Sequence, residues 1–165
     1  MFTKQHVIVY LAGPLFTQAE WQWNVRLAQK LREGSLDVIL PQDESIPMLS
    51  GLKPFDADAL FRVNVESIDR ADVVVAIFDG VDVDSGTAWE CGYAFKARRP
   101  VIGVRTDIRA GGDDPKATVN LMLSISCATI VSVPYGIRDD LDWVAAEILS
   151  AVQRVVREEK GSVLE

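Results

Sequence analysis

Four carboxylates, Asp79, Asp82, Asp84 and Glu90, fall in the run Val73-Val-Val-Ala-Ile-Phe-Asp-Gly-Val-Asp-Val-Asp-Ser-Gly-Thr-Ala-Trp-Glu90. The run reads as a buried strand, an acidic loop with a glycine, and the first turn of a helix. In open α/β folds ligands bind outside the carboxyl ends of the strands. Phosphate-binding edges carry glycines or basic groups there. An edge furnished with carboxylates repels phosphate and suits hydroxyls, protonatable ring nitrogens or a developing positive charge. Glu90 has the chemistry of a nucleophile toward an acetal-like carbon. It also has a plainer reading, because Thr87-Ala-Trp-Glu90 fits a capping box in which Glu90 only satisfies a backbone N–H. With Ser85 as the cap instead, Glu90 is free to face a cleft. Spacing alone leaves both open. Tyr10, near the end of an apolar run that turns at Gly13, is either a core aromatic or a phenol placed to hydrogen-bond Glu90.

Other chemistries find little support. No GxGxxG or P-loop pattern is present. The single histidine, His6, opens the first apolar run, so it is expected at the end of the sheet away from the site. That removes Ser-His-Asp and Cys-His catalysis. Cys91 and Cys127 lie in apolar contexts without metal-ligand spacing and read as reduced core thiols. The Asp79/Asp82/Asp84 spacing lacks the glycine and terminal glutamate of a calcium loop in the right places, so no metal and no cofactor are expected. The net charge of −7 disfavours nucleic-acid polymers and anionic membranes as partners. With no signal-like leader and no span of membrane length, a cytoplasmic protein is expected.

The elements that must position these residues follow from period and punctuation. Strands are expected over 6–12, 36–40, 72–78, 100–105 and 127–133. Helices are expected over 17–33 (stopped by Gly34), 56–70, 87–98, a short turn at 120–126, and 138–158. The segment 42–54, with Pro47, Gly51 and Pro54, reads as a long loop of functional character. Arg98 and Arg99 read as complements to a helix C-terminus. The alternation predicts a flavodoxin-like, doubly wound α/β fold: a five-stranded parallel sheet of order 2-1-3-4-5, helices on both faces, one domain over residues 1–165. Its switch point brings 10–16 and 79–90 side by side.

In that frame Tyr10-Leu-Ala-Gly-Pro-Leu-Phe16, Asp72-Val-Val-Val-Ala-Ile77, Asp84-Ser-Gly-Thr-Ala-Trp-Glu-Cys-Gly-Tyr-Ala94 and Asn120-Leu-Met122 resemble the nucleoside 2-deoxyribosyltransferases, in order and spacing, from Tyr10 to about Val133. The resemblance implies that Glu90 attacks the anomeric carbon of a 2′-deoxynucleoside and that Tyr10 positions it. It implies that Asp84 holds the 5′-hydroxyl, that Phe16 lies against the base, and that Asn120 and Met122 come from a neighbouring subunit of a homo-oligomer, a dimer or a hexamer. The 42–54 loop would cover the base. One position departs: at Asn64 many members carry an aspartate that contacts and protonates the base, whereas asparagine donates a hydrogen bond but no proton. A related hydrolase of deoxynucleoside 5′-monophosphates looks as if it has serines where this chain has Asp84 and Pro14. A non-catalytic nucleoside-binding module is the reading from another class.

Overall fold

Uniformly apolar runs become the strands, and the residues that punctuate them become the turns. In this computed structural model, residues 6–43, 45, 51–52, 54–113 and 117–162 are described, the last three by their backbone alone. The strands are β1 Val7–Ala12, β2 Leu36–Ile39, β3 Val73–Ile77, β4 Val101–Arg105 and β5 Thr129–Ser132. They pair in parallel throughout, in the order β2-β1-β3-β4-β5. This is the expected doubly wound order. The helices are α1 Gln18–Glu33, α2 Ala57–Arg70, α3 Ser85–Lys96, α4 Leu121–Ser126 and α5 Leu141–Ser162, with a helical turn at 41–43 and a 3-10 turn at Tyr135–Ile137. None of the described helices is long and apolar enough to cross a membrane.

Alternation along the strands divides the core into two layers. Val9, Leu11, Val73, Val75 and Ile77 pack with Leu27 and Leu31 of α1 and with Val144, Ile148, Val152 and Val155 of α5. Tyr10, Ala12, Val74, Ala76 and Phe78 face the other way, toward Ile68 of α2, Cys91 and Ala94 of α3, and Leu123 of α4. All five β3 residues are buried. Each such valine or isoleucine contributes roughly 1.5–3 kcal/mol by leaving water. The consequence for the site is directional. β1 and β3 are neighbours, with Tyr10 opposite Val74, yet the chain leaves them toward opposite faces, to α1 and to α3. A crevice opens between the two departing loops. Tyr10 points to the α3 side of the sheet because its parity along β1 sends it there.

Several boundaries differ from expectation for local reasons. α3 begins at Ser85 rather than Thr87, capped by neither Ser85 nor Thr87. Asp84 is the cap, accepting from the Thr87 amide at 2.9 Å and the Thr87 hydroxyl at 3.1 Å. β5 starts two residues after Cys127, whose amide still donates to the Leu123 carbonyl of α4. α5 starts at Leu141 because the Asp140 carboxylate accepts from the Trp143 amide at 2.9 Å. Gly34 does follow α1, but with φ −74°, and the left-handed residue is Ser35 (φ 73°). Much of the 42–54 loop lies outside the described residues.

Candidate active site

The crevice at the switch point is a cleft of about 300 Å³. Gly13, Leu15 and Phe16 come from the turn after β1, Pro41 and Ser45 from the chain after β2, and Phe55, Leu60 and Asn64 from α2 and its approach. Asp84, Gly86, Thr87 and Glu90 come from the start of α3. Of the residues singled out in the sequence, Phe16, Asn64, Asp84 and Glu90 therefore meet at one cavity. Tyr10 lies beneath it, fully buried, and its hydroxyl donates to Glu90 Oε1 at 2.6 Å. Phe16 sits at the rim, 78% exposed. Its backbone is fixed by a capping box at α1: the Glu20 carboxylate accepts from the Phe16 and Thr17 amides at 3.1 and 2.8 Å, while the Thr17 hydroxyl accepts from the Glu20 amide at 3.2 Å.

Because Asp84 caps α3, Glu90 is not spent on a capping box. It stands in the second turn of the helix, half-buried, held by Tyr10. Burial pushes its carboxyl up to about 7; the Tyr10 hydrogen bond opposes that rise, and the negative charge of Asp84 adds to it. The Tyr10 phenol is raised far above its ordinary range by burial and by the adjacent Glu90 charge, so it acts as a donor and not as a phenolate. A carboxyl tuned to neutral pH, reached by one fixed donor and open to a cleft on its other side, is suited to nucleophilic or acid–base work.

The acidic loop behaves differently from what its composition suggests. Only Asp84 of its three aspartates lines the cleft. Asp79 turns toward the next strand, where its carboxylate accepts from the Thr106 and Asp107 amides at 2.6 and 2.8 Å and from the Thr106 hydroxyl. Asp82 accepts from the amide of Val83. The expectation of a carboxylate-furnished edge holds for Asp84 and Glu90 and is corrected for Asp79 and Asp82, which do not line the cleft. The loop is pinned from below by Arg105, 2% exposed, whose guanidinium donates to the carbonyls of Phe78, Gly80 and Arg109. At Gly80 φ is +117°, and a Cβ there would stand 2.9 Å from the Asp82 carbonyl, so only glycine makes this turn.

Asn120 and Met122 do not line this cleft. The Asn120 side chain caps α4 through the Met122 amide at 2.9 Å, and Met122 is 71% exposed. His6 lies at the opposite end of β1, its ring 3.2 Å from the Asp37 carboxylate. Cys91 and Cys127 are both free; burial raises both thiols, Cys127 to about 11, which disfavours the thiolate. Sequence reading missed Leu15, Pro41, Ser45, Phe55 and Leu60. They come from three separate stretches of the chain, and the signal for them was the turn punctuation around 13–14 and 41–54.

The structure is thus an open, doubly wound parallel sheet with a tyrosine-bonded carboxylate in its switch-point crevice. The family model described as nucleoside 2-deoxyribosyltransferase matches residues 9–122. The chain belongs to that family of nucleoside-modifying enzymes. No curated protein matches it. Among solved structures it is similar to a conserved protein of Enterococcus faecalis V583 (24% identity, 87% of this chain and 99% of that one, TM-score 0.65). It is similar to a 2-deoxyribosyltransferase of Bacillus psychrosaccharolyticus (24%, 82% and 90%, 0.64). A CMP N-glycosidase of Clostridium botulinum shares the fold at 17% identity, over 88% of this chain and 98% of that one, with a TM-score of 0.54.

Proposed function

We propose that this protein exchanges nucleobases between 2′-deoxynucleosides through a covalent deoxyribosyl ester on Glu90. The observation that carries the reading is the 2.6 Å contact from Tyr10 to Glu90 at the floor of the cleft. An ionised Glu90 oxygen attacks the anomeric carbon as the bond to the base nitrogen breaks; the electron pair goes to the leaving base, which takes its proton from water because Asn64 can supply none. A second base then attacks the same carbon from the opposite face. The ester bond breaks, Glu90 is restored, and the incoming base loses its proton. Two inversions give net retention. Deoxyribose lacks an electron-withdrawing 2′-hydroxyl, so its oxocarbenium-like transition state is accessible, and a carboxylate facing it stabilises it.

In this reading Tyr10 orients Glu90, Phe16 and Asn64 contact the base, and Asp84 accepts from the sugar's 5′-hydroxyl. Asn120 and Met122 complete the site of a neighbouring copy in a homo-oligomer. The chain acts as one domain, in the cytoplasm, in nucleoside salvage, without cofactor or metal. The fold shared with a CMP N-glycosidase makes hydrolysis of 5′-monophosphates the competing reading, and Asp84 on the cleft wall argues against it, because a carboxylate repels a phosphate dianion.

The test is incubation with deoxyinosine or thymidine, with and without free adenine. A new deoxynucleoside is expected. Free base alone would make the protein a hydrolase, and no turnover would make it a binding module. Intact-protein mass spectrometry with donor and no acceptor should show one deoxyribosyl adduct, on Glu90.

A further inference from the structure

Two buried amides tie together the loops on one side of the cleft. Asn24 of α1 and Gln42, just past β2, are 4% and 1% exposed. Asn24 Nδ2 donates to the Pro14 carbonyl at 2.9 Å and to Gln42 Oε1 at 3.2 Å. Gln42 Nε2 donates to the Trp21 carbonyl at 3.2 Å, and the Ser45 hydroxyl donates to the Gln42 carbonyl at 3.0 Å. Pro14 sits in the turn that supplies Gly13, Leu15 and Phe16 to the cleft, and Gln42 lies between Pro41 and Ser45, which also line it. Neither amide is itself a lining residue. They stand behind the wall and join its two halves.

Burying amides is costly unless their bonds are made, and two apolar side chains of similar size would fill the space without that cost. Apolar contact, however, does not fix the height of one loop against the other. Directional bonds do. A slip of either loop by even 1 Å breaks the Pro14–Asn24–Gln42–Trp21 chain of donors and acceptors. We infer that Asn24 and Gln42 are positioning residues that set the shape of the Phe16-side wall, and through it the choice of nucleobase. The inference rests on the reading that this cleft takes a nucleobase against Phe16. It assigns the two amides no contact with substrate; they act through Leu15, Phe16, Pro41 and Ser45.

The experiment uses the full chain with Gln42→Met, which keeps length and packing while removing the amide. A second variant, Asn24→Ser, cuts the network at its other end and leaves room for a water. Three quantities are read: the Kd of free adenine by calorimetry, kcat/KM for purine against pyrimidine deoxynucleoside donors, and the single-turnover rate of deoxyribosyl-enzyme formation at saturating donor. In each folded variant adenine should bind about 10-fold more weakly, the scale of one or two lost hydrogen bonds. The purine-to-pyrimidine ratio should move by roughly 5-fold or more on the same scale. The single-turnover rate should stay within about 3-fold, because Glu90 and Tyr10 are untouched. The double variant should lose no more than the worse single one, since both break one network. A merely structural role would lower stability and leave the donor ratio unchanged. A folded Gln42→Met or Asn24→Ser protein with wild-type adenine affinity and donor ratio overturns the inference alone. A wild-type protein that neither transfers deoxyribose nor binds nucleobases removes the proposed function and this inference with it.

Discussion

In the proposed reaction the Glu90 carboxyl meets two opposed requirements: burial would strengthen its electrostatic effect on a reacting carbon, and the same burial disfavours the ionised form needed for attack. Its rise from 4.5 to about 7, driven by burial and opposed by the Tyr10 hydrogen bond, has consequences for both rate and stability. For rate, kcat/KM should fall as pH drops through about 7. Tyr10→Phe should move that limb upward, since a bond favouring the charged form is gone. It should also cut turnover by about 10- to 100-fold at alkaline pH, the scale of one charged hydrogen bond. A limb that stays in place would reduce Tyr10 to a packing residue. For stability the sign is that of a raised acid. Between 4.5 and about 7 the folded state holds a proton that the unfolded state has lost, so Glu90 removes stability as pH rises through that window. Glu90→Gln should abolish transfer, yet raise the melting temperature at pH 8 and leave it nearly unchanged at pH 5. The gain is at most about 3 kcal/mol, less where cleft water screens the charge. Asp84 carries a separate prediction. Two like charges ~4 Å apart at intermediate dielectric repel by about 4 kcal/mol, so deoxyadenosine should be used ~100-fold or more better than its 5′-monophosphate. Because Asp84 also caps α3, Asp84→Ser is the informative variant: serine still caps while the charge is gone. It should narrow the gap, and better use of the monophosphate by the wild type would favour the hydrolase.

Elements are held in register here by close approaches as much as by propensity. A Cβ at Gly103 of β4 would stand 2.4 Å from Cε2 of the fully buried Phe78 ring, which has no room to yield. Gly103→Ala should therefore cost about 1–3 kcal/mol, read as a lower urea midpoint with an unchanged slope. At the end of α3 the opposite holds. Arg98 takes the left-handed position (φ 57°) usually given to glycine, with the Arg99 amide reaching back to the Ala94 carbonyl at 2.8 Å. Arg98→Gly should raise stability by up to about 1 kcal/mol, and a fall would show that the side chain makes a contact worth more than its backbone strain. These cases mark where the sequence could and could not be read. Strands and their order were legible because β1, β3 and β4 are apolar runs that only a sheet covered on both faces explains. The switch point brought Tyr10 and Glu90 close, but a core aromatic and a capping glutamate stayed open for them until the family resemblance paired them, and the 2.6 Å hydrogen bond is what the structure adds. The cap of α3 was not, because Asp84, Ser85 and Thr87 are all competent caps and their choice depends on the turn at Gly80. Nor was the orientation of Asp79, which is decided by amides 27 and 28 residues further on. The apolar cleft wall assembles from loops that share no periodicity at all.

For the molecule as a whole, the unresolved demand is the surface beyond the cleft. Phe61, Trp89, Phe95, Leu121, Met122 and Ile125 are each about half exposed or more, on α2, α3 and α4. Trp89 stacks on Tyr93 with ring centroids 5.5 Å apart, and Phe61 meets Trp89 in a tilted contact at 5.3 Å. Gly92, three residues from both Trp89 and Phe95, has no atom within 4 Å of where its Cβ would be. A glycine in an exposed helix interior costs about 1 kcal/mol against alanine, and an apolar surface of this kind marks an interaction site. In the proposed homo-oligomer, a second copy seated on this face would account for both the glycine and the aromatics. The protein should therefore sediment as a dimer or larger. Gly92→Ala should stabilise the isolated fold by up to about 1 kcal/mol, and an accompanying loss of association would place Gly92 in the interface between copies. Ile125→Asp should yield a folded monomer with little activity. Shared sites give the sharpest outcome. Asn120 caps α4, so Asn120→Ser shortens its reach without removing the cap. Mixed with Glu90→Ala under subunit exchange, two separately inactive proteins should regain a fraction of wild-type turnover, since some sites then pair an intact Glu90 with an intact Asn120. A fully active monomer at assay concentration would place the whole site within one chain and leave the apolar face to some other partner.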